Sequence, residues 1–296
     1  MISNVMKNKK MRDEIAGVAF TAAPVLGIVI FTFIPLVMAF VMSFMNVNLG
    51  FQDAEFFPLK DIFSNYSAVL GDEYFWNALK NNMILFIELP ISIIISIVVA
   101  ELLSKKVKFT RAFKVILFIP YVCSVTATTF MWNWILDANY GMVNQVLGIN
   151  LDWFSNEMFV WSIMIMGLWT SCGYRILLFT AAITNVNTSL KEAARMDGAN
   201  PLQVFIHVTI PAITPTIFYV LVMGLIGIFQ EFTRIQVLNG GTKCNTIVNY
   251  IYTHGWSGTS QMGIACAASV ILALLIFGLT KLNFSLSKKW VNYDVD

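Results

Sequence analysis

The chain has 296 residues, of which 57% are hydrophobic and only 12% charged, with a net charge of +2 and a mean hydropathy of +0.71. Soluble domains carry about 25% charged residues, so this chain has too little polar surface to face water on all sides. A water-soluble fold is excluded, no basic patch suggests nucleic acid, and a lipid bilayer is the solvent that fits.

Six apolar segments follow in chain order. Residues 15–45 contain no ionisable side chain. Residues 83–103 are apolar with few charges, and residues 115–136 are free of Asp, Glu, Lys and Arg. Residues 159–183 are broken only by Arg175. Residues 212–237 carry a few charges, and residues 261–280 carry none. Each is near or beyond the ~20 residues a helix needs to cross the hydrocarbon core. Helices satisfy their own backbone hydrogen bonds, as lipid requires, and the alternating pattern of membrane strands is absent. The expected fold is therefore an all-α integral membrane protein of six transmembrane helices.

Basic residues give these spans a direction. Lys7, Lys9, Lys10 and Arg12 precede the first; Lys105, Lys106, Lys108, Arg111 and Lys114 separate the second from the third. Lys191 and Arg195 lie between the fourth and fifth, and Lys281, Lys288 and Lys289 follow the sixth. The alternate loops are acidic, with Asp53, Glu55, Asp61, Asp72 and Glu73 in one and Asp137, Asp152 and Glu157 in another. The positive-inside rule then places both termini in the cytoplasm. The first apolar run is about twice the length of a signal-peptide core, which predicts a retained span. Cys123, Cys172, Cys244 and Cys266 form no CxxC pair and are expected to be small buried residues, apart from Cys244 in an external loop. Residues 46–79 form the longest external loop, with room for short surface helices.

The most informative loop is 185–211, NVNTSLKEAARMDGANPLQVFIHVTIP. Ser189 and Glu192 have capping-box spacing, which predicts a short helix from about Leu190 to a Gly198 cap. Glu192 and Arg195 can pair at i, i+3. Asn200, Pro201 and Gln203 give a second start signal. Two short helices at an angle are therefore expected before the fifth span, with Ala193 and Ala194 leaving a low surface for another protein.

The run Glu192-Ala193-Ala194, Gly198-Ala199, Ile210-Pro211 and Pro215 resembles the EAA motif of binding-protein-dependent ABC importer permeases. Further segments resemble the carbohydrate-uptake branch typified by the maltose transporter permeases. They are Ser64-Asn65-Tyr66 with Phe75-Trp76-Asn77-Ala78-Leu79, Arg111-Ala112-Phe113 with Phe118-Ile119-Pro120, and Trp132-Asn133-Trp134 with Tyr140-Gly141 and Asn144. Leu238-Asn239-Gly240-Gly241 with Asn245-Thr246 resembles that branch's element after the fifth span, departing from its pattern at Asn239 and at Thr242. The resemblance implies a type I ABC importer permease fold, a single membrane permease domain over 1–296 with a core of about 73–284, and coupling helices in 185–211. Glu192, Ala193, Ala194, Asp197, Gly198, Ala199 and Pro211 would then meet an ATPase subunit. It also implies a second homologous permease, two cytoplasmic ATPase subunits, an extracellular or periplasmic solute-binding protein, and a sugar or oligosaccharide as cargo.

No G-x-x-x-x-G-K-[ST] occurs in the sequence, so ATP and Mg are expected on a partner chain and no cofactor on this one. His207 and His254 stand apart, and no catalytic or metal-ligand spacing is present, so the chain is expected not to be an enzyme. Deep ionisable residues usually face a bundle interior or a cavity. These are Glu88, Arg175 and the Glu231/Arg234 pair, with Gly224, Gly227, Glu231 and Arg234 on one expected helical stripe. Arg175 is expected to face the subunit interface or the solute path, or else to form a fixed ion pair with Glu88 or Glu231; Glu231 and Arg234 either line the path or neutralise one another. Asn133, Trp169 and Tyr174 are candidates for sugar contact. The rivals are an ABC permease for glycerol phosphate, polyol or peptide, and an ATP-independent secondary transporter, which commonly shows an inverted repeat.

Overall fold

The computed structural model describes residues 2–48, 54–105, 109–239, 246–256 and 261–292, with the side chains of 2–10, 12, 13 and 15 left out. The first apolar stretch comprises α1 (Ile2–Ile28), a π-helical turn (Val29–Phe33) and α2 (Ile34–Met42). A ladder of β1 (Met45–Asn46) and β2 (Glu55–Phe56) is followed by α3 (Ser64–Gly71). The second stretch is α4 (Glu73–Leu85) with α5 (Glu88–Ser104), and the third is α6 (Thr110–Val122) with α7 (Val125–Ile135). After α8 (Met142–Leu147) come α9 (Phe159–Asn185), α10 (Thr188–Met196) and α11 (Pro201–Val204), then a second π turn (Phe205–Thr209). The chain continues through α12 (Ile210–Ala212), α13 (Thr214–Phe229), α14 (Thr233–Asn239), α15 (Ile247–Trp256) and α16 (Met262–Ser287).

Five stretches are long and apolar enough to cross a bilayer: Ala16–Met42, Glu73–Ser104, Phe159–Asn185, Thr214–Leu238 and Met262–Ser287. The sixth, expected as one helix over 115–136, is instead α6 and α7 meeting at 98°. Cys123 and Ser124 take extended ψ angles of 150° and 131°, and Pro120 in the preceding turn cannot donate a helical hydrogen bond. Cys123 at this corner is exposed, against the expectation of burial; Cys266 is buried and Cys172 half-buried. Cys244 and the Gly240–Gly241 and Thr242 positions lie outside the described residues.

Proline explains three further departures from regular helix. Both π turns precede an Ile-Pro pair, Ile34-Pro35 and Ile210-Pro211, and in each the isoleucine N–H bonds five residues back, to Val29 and to Phe205. Inserting a residue before the ring relieves its clash with the preceding turn. Pro90 sits in the first turn of α5, where its missing N–H costs nothing, and the second span breaks just before it at Phe86 and Ile87.

The chain divides into two compact units, Met1–Val69 with His254–Val270, and Leu70–Thr253 with Ile271–Asp296. In the first, Asn65 Nδ2 donates to the Ser43 and Met45 carbonyls at 2.9 Å, and the Ser43 and Tyr66 hydroxyls meet at 2.7 Å. This binds the strand entrance to α3, which accounts structurally for Ser64-Asn65-Tyr66. In the second, small residues set the helix spacing. Ser92, Ser96 and Ala100 form a fully buried stripe on α5, which packs against α9. A Cβ on Gly173 would meet the Leu117 carbonyl carbon at 3.0 Å and Phe118 Cα at 3.3 Å, so this glycine admits the backbone of α6 against α9.

Candidate functional site

The second unit holds a partly open cavity of about 540 Å³ lined by five elements and a break. From α9 come Gly167, Ser171, Tyr174 and Arg175, one face at steps of three and four. Glu88 stands at the start of α5, Tyr121 at the end of α6, and Tyr219, Met223, Gly224 and Gly227 on α13. Glu231 and Arg234 close the list of charged walls.

Glu88 and Arg175 are each only 7% exposed. Arg175 Nη1 lies 3.6 Å from Glu88 Oε1, and Ser171 links them: it accepts from Nη1 at 2.9 Å and donates to Oε1 at 2.8 Å. Arg175 Nη1 also donates to Ser92 Oγ, whose own proton goes to the Leu89 carbonyl at 2.8 Å. A buried charge survives only when paired and hydrogen-bonded, and two serines on two helices meet that demand. Glycines make the space. A Cβ on Gly167 would stand 2.9 Å from the Glu88 carboxyl carbon, and one on Gly224 would stand 3.2 Å from Arg175 Nη2 while striking Leu89. The Glu88 alternative for the fixed pair of Arg175 is therefore the one that forms, and the pair also lines the cavity.

Gly224, Gly227, Glu231 and Arg234 share the cavity, but not by lying on one continuous helix. The helix stops at Phe229, Glu231 and Phe232 are non-helical, and Arg234 belongs to α14. The break is anchored. Asn82 Nδ2 donates to the Ile228 carbonyl at 3.0 Å, Asn82 Oδ1 accepts from the Ile247 N–H at 3.0 Å, and Thr246 Oγ1 donates to the Glu231 carbonyl at 2.7 Å. Glu231 pairs with the Arg234 guanidinium and accepts the Arg234 backbone N–H at 3.3 Å.

Tyr174 stacks on Tyr121 at 4.8 Å in the same wall. Trp169 stands edge-on to Trp132 at 5.7 Å, and Asn133 is exposed on α7; neither lines this cavity. Ser171, Tyr121, Tyr219 and Met223 also line the cavity and are not singled out by the sequence. The spacing Gly167, Ser171, Tyr174 could have suggested one of them; Tyr121 and Tyr219 carry no signal until α6 and α13 are placed.

The 185–211 loop forms the two expected helices. The N-cap of α10 is Asn187, not Ser189: its side chain accepts from the Ser189 N–H at 3.0 Å and from the Ser189 hydroxyl at 2.9 Å. The Ser189–Glu192 box therefore does not form, because the Asn187 cap two residues earlier engages both the N–H and the hydroxyl of the serine. Nor do Glu192 and Arg195 pair; among the described residues the ion pairs are Lys105–Glu101, Arg175–Glu88 and Arg234–Glu231. Glu192, Ala193, Asp197 and Gly198 are exposed, while Ala194, Ala199 and Pro211 are half-buried. Gly198 has φ +87°, and the Gly198 and Ala199 N–H groups bond back to Arg195 at 3.0 Å and Ala194 at 2.9 Å, a Schellman stop. Asn200 and Gln203 form the second box in full, at 2.8 and 2.9 Å. Between the two helices lies a groove of about 320 Å³ lined by Ala194, Asp197, Gly198, Ala199, Gln203, His207 and Val208. Among the described residues no three His, Cys, Asp or Glu side chains converge as a metal site.

Two charged or phenolic groups outside the spans complete the electrostatics. Backbone N–H groups of Asn139 and Tyr140, at 2.8 and 3.1 Å, hold the Asp137 carboxyl below its ordinary range. Burial, then a hydrogen bond to Asp72 at 2.8 Å, pushes the Tyr250 phenol upward.

The family described as binding-protein-dependent transport system inner membrane component matches residues 92–289. The arabinooligosaccharides transport system permease protein AraP of Bacillus subtilis is 31% identical, over 90% of this chain and 87% of its own. The sn-glycerol-3-phosphate transport system permease protein UgpA of Yersinia pestis is 28% identical, over 78% and 81%. A chain of the bacterial alginate ABC transporter, solved in complex with an alginate pentasaccharide-bound periplasmic protein, superposes with a TM-score of 0.80 at 23% identity, covering 95% of this chain and 96% of its own. The fold is that of a type I ABC importer permease.

Proposed function

The chain belongs to the binding-protein-dependent transport system inner membrane components, and we propose that it is the multi-pass subunit forming half of the path of an ATP-driven importer of sugars or oligosaccharides. One observation carries the reading. The helix α9 that supplies Arg175 and Tyr174 to the cavity runs without a break to Asn185 and into the capped 185–211 loop. Lys191 Nζ donates to the Ile183 carbonyl at 3.2 Å, fixing α10 to the end of α9. A push on the loop therefore reaches the cavity wall through a rigid rod.

In this scheme Glu192, Ala193, Ala194, Asp197, Gly198, Ala199 and Pro211 form the surface that meets a separate ATPase chain, which holds ATP and Mg. Closure of the ATPase pair moves the loops, α9 and α13 reorient, and the cavity opens outward to receive solute from a binding protein. Hydrolysis returns it inward. A second homologous permease supplies the other half of the path. Both termini face the cytoplasm, and the whole chain acts as a single membrane permease domain.

A sugar cargo fits the cavity's phenols and hydroxyls, and the likeness to AraP supports it. The likeness to UgpA favours a phosphorylated polyol as the second reading. A phosphate calls for unpaired cations, whereas Arg175 and Arg234 are each committed to a carboxylate.

The test is affinity purification of the chain from its host in mild detergent, followed by mass spectrometry and reconstitution. The proposal expects a second permease and a P-loop ATPase to co-purify, with ATP-dependent uptake of the sugar carried by any co-purifying binding protein. A chain that purifies alone and transports without ATP contradicts it.

A further inference from the structure

Among the described residues the acidic and basic cavity walls are two acids and two bases, each closed into its own pair: Glu88 with Arg175, and Glu231 with Arg234. Tyr121, Tyr174 and Tyr219 add phenol groups to the lining. The pairs differ in how they are held. Glu231 and Arg234 are three residues apart at an anchored break, so local chain geometry alone brings them together. Glu88 and Arg175 come from different spans 87 positions apart, and each is needed to satisfy the other. We infer that Glu88 is a specificity-determining residue: as the counter-charge of Arg175 it keeps the cavity electrically neutral, so that the cavity admits uncharged solutes and does not concentrate anionic ones such as uronates or phosphates.

The inference rests on taking this cavity as the solute path. Its physical basis is separate. An uncompensated guanidinium in a low-dielectric cavity projects a field that attracts anions. Arg175 Nη1 is occupied by Ser92 and Ser171, while its Nη2 lies beside Gly224 on the cavity wall. Removing Glu88 would thus leave a positive charge at the lining with the serines still holding its geometry. Ser171 cannot replace the carboxylate, because a hydroxyl bonds the guanidinium without cancelling its charge.

The experiment reads the potential directly. Met223 lines the cavity and is 51% exposed. Met223→Cys is made in a chain whose four cysteines are replaced by serine, co-expressed with its partner subunits. Labelling rates with anionic sulfonatoethyl and cationic trimethylammonioethyl methanethiosulfonate are compared in membranes. The inference expects a rate ratio close to that of a free thiol in the same buffer. Glu88→Gln shifts the ratio at least about tenfold toward the anionic reagent, and Arg175→Gln shifts it comparably toward the cationic one. Glu88→Gln/Arg175→Gln returns it to the parent value, which separates charge from a change of shape. A parent ratio already strongly biased, or single variants that leave it unmoved, overturns the inference. If Glu88→Gln does not accumulate, Arg175→Gln decides alone, and an unmoved ratio there also overturns it. Labelling requires no transport, so a neutral cavity in a chain that fails ATP-dependent uptake counts against the solute path and not against the charge balance.

Discussion

The 185–211 loop and the Glu88–Arg175 cavity are fixed by interactions of opposite range. In the loop, Asn187 reaches Ser189, Gly198 and Ala199 reach back to α10, and Asn200 and Gln203 cap each other, all within five residues. In the cavity, Ser171 reaches Glu88 and Arg175 reaches Ser92 over 83 positions, and Asn82 reaches Ile228 over 146. A local motif can present a docking surface whatever the rest of the chain does. A cavity with buried charge exists only once several spans are in place. Damage to the loop should therefore spare the fold, and damage to the pair should not.

The largest effect expected is at the pair. Arg175→Ala leaves the Glu88 carboxylate buried without its partner and should cost about 3–5 kcal/mol, read as a fall in the thermal midpoint of the assembled complex. Glu88→Gln/Arg175→Gln should recover most of that loss; equal damage in the single and double variants would show that the charge is not what matters. Gly167→Ala comes next. Its methyl group would displace the Glu88 carboxylate, at about 1–3 kcal/mol, and the variant should melt early while keeping the loop intact to limited proteolysis.

Loop variants sharpen the comparison from the other side. Gly198→Ala forces a side chain into a left-handed conformation at about 1–2 kcal/mol, and Asn200→Ala removes a capping box at about 1 kcal/mol. Because these costs fall on an exposed loop that opens locally, separately from the packed spans, both should lower ATP-driven uptake and ATPase retention with a smaller fall in midpoint than Gly167→Ala. A large fall in midpoint for either would remove the distinction between the regions. The smallest effect is at Tyr250, whose phenol is held protonated by burial and Asp72. A group whose folded value is raised stabilises fully below its unfolded value, 10.0 for Tyr, and loses that contribution as pH rises beyond it. Tyr250→Phe should accordingly flatten the decline in thermal midpoint above pH 10.0.

The range of the interactions also explains what the sequence discloses. Asn200-Pro201 and Gln203, and the Gly198 stop, are legible because cap chemistry is local. Ser189 misleads for the same reason: Asn187 offers a competing local cap, and spacing alone does not rank them. Charge depth singles out Glu88, Arg175, Glu231 and Arg234, and all four line the cavity. Their partners are a different matter. That Arg175 chooses Glu88 over Glu231 depends on Gly167 and Gly224 making room between α5, α9 and α13. Trp169 and Asn133 show the limit of composition, since aromatic and amide residues suit a sugar wherever they lie, and these two lie elsewhere. The bend at Cys123 follows Pro120, a local signal that hydropathy does not weigh, whereas the break at Glu231 is held by Asn82 and Thr246 from other elements.

The central claim is that the loop and the cavity are two ends of one coupled path. Its most direct test is the sidedness of Met223→Cys in the cysteine-replaced chain with its partner subunits, in vesicles of known orientation, using a membrane-impermeant maleimide. The account predicts labelling from one face without nucleotide and from the opposite face after trapping with ATP and vanadate, with the switch lost in Gly198→Asp. Labelling from the same face in both states would contradict it.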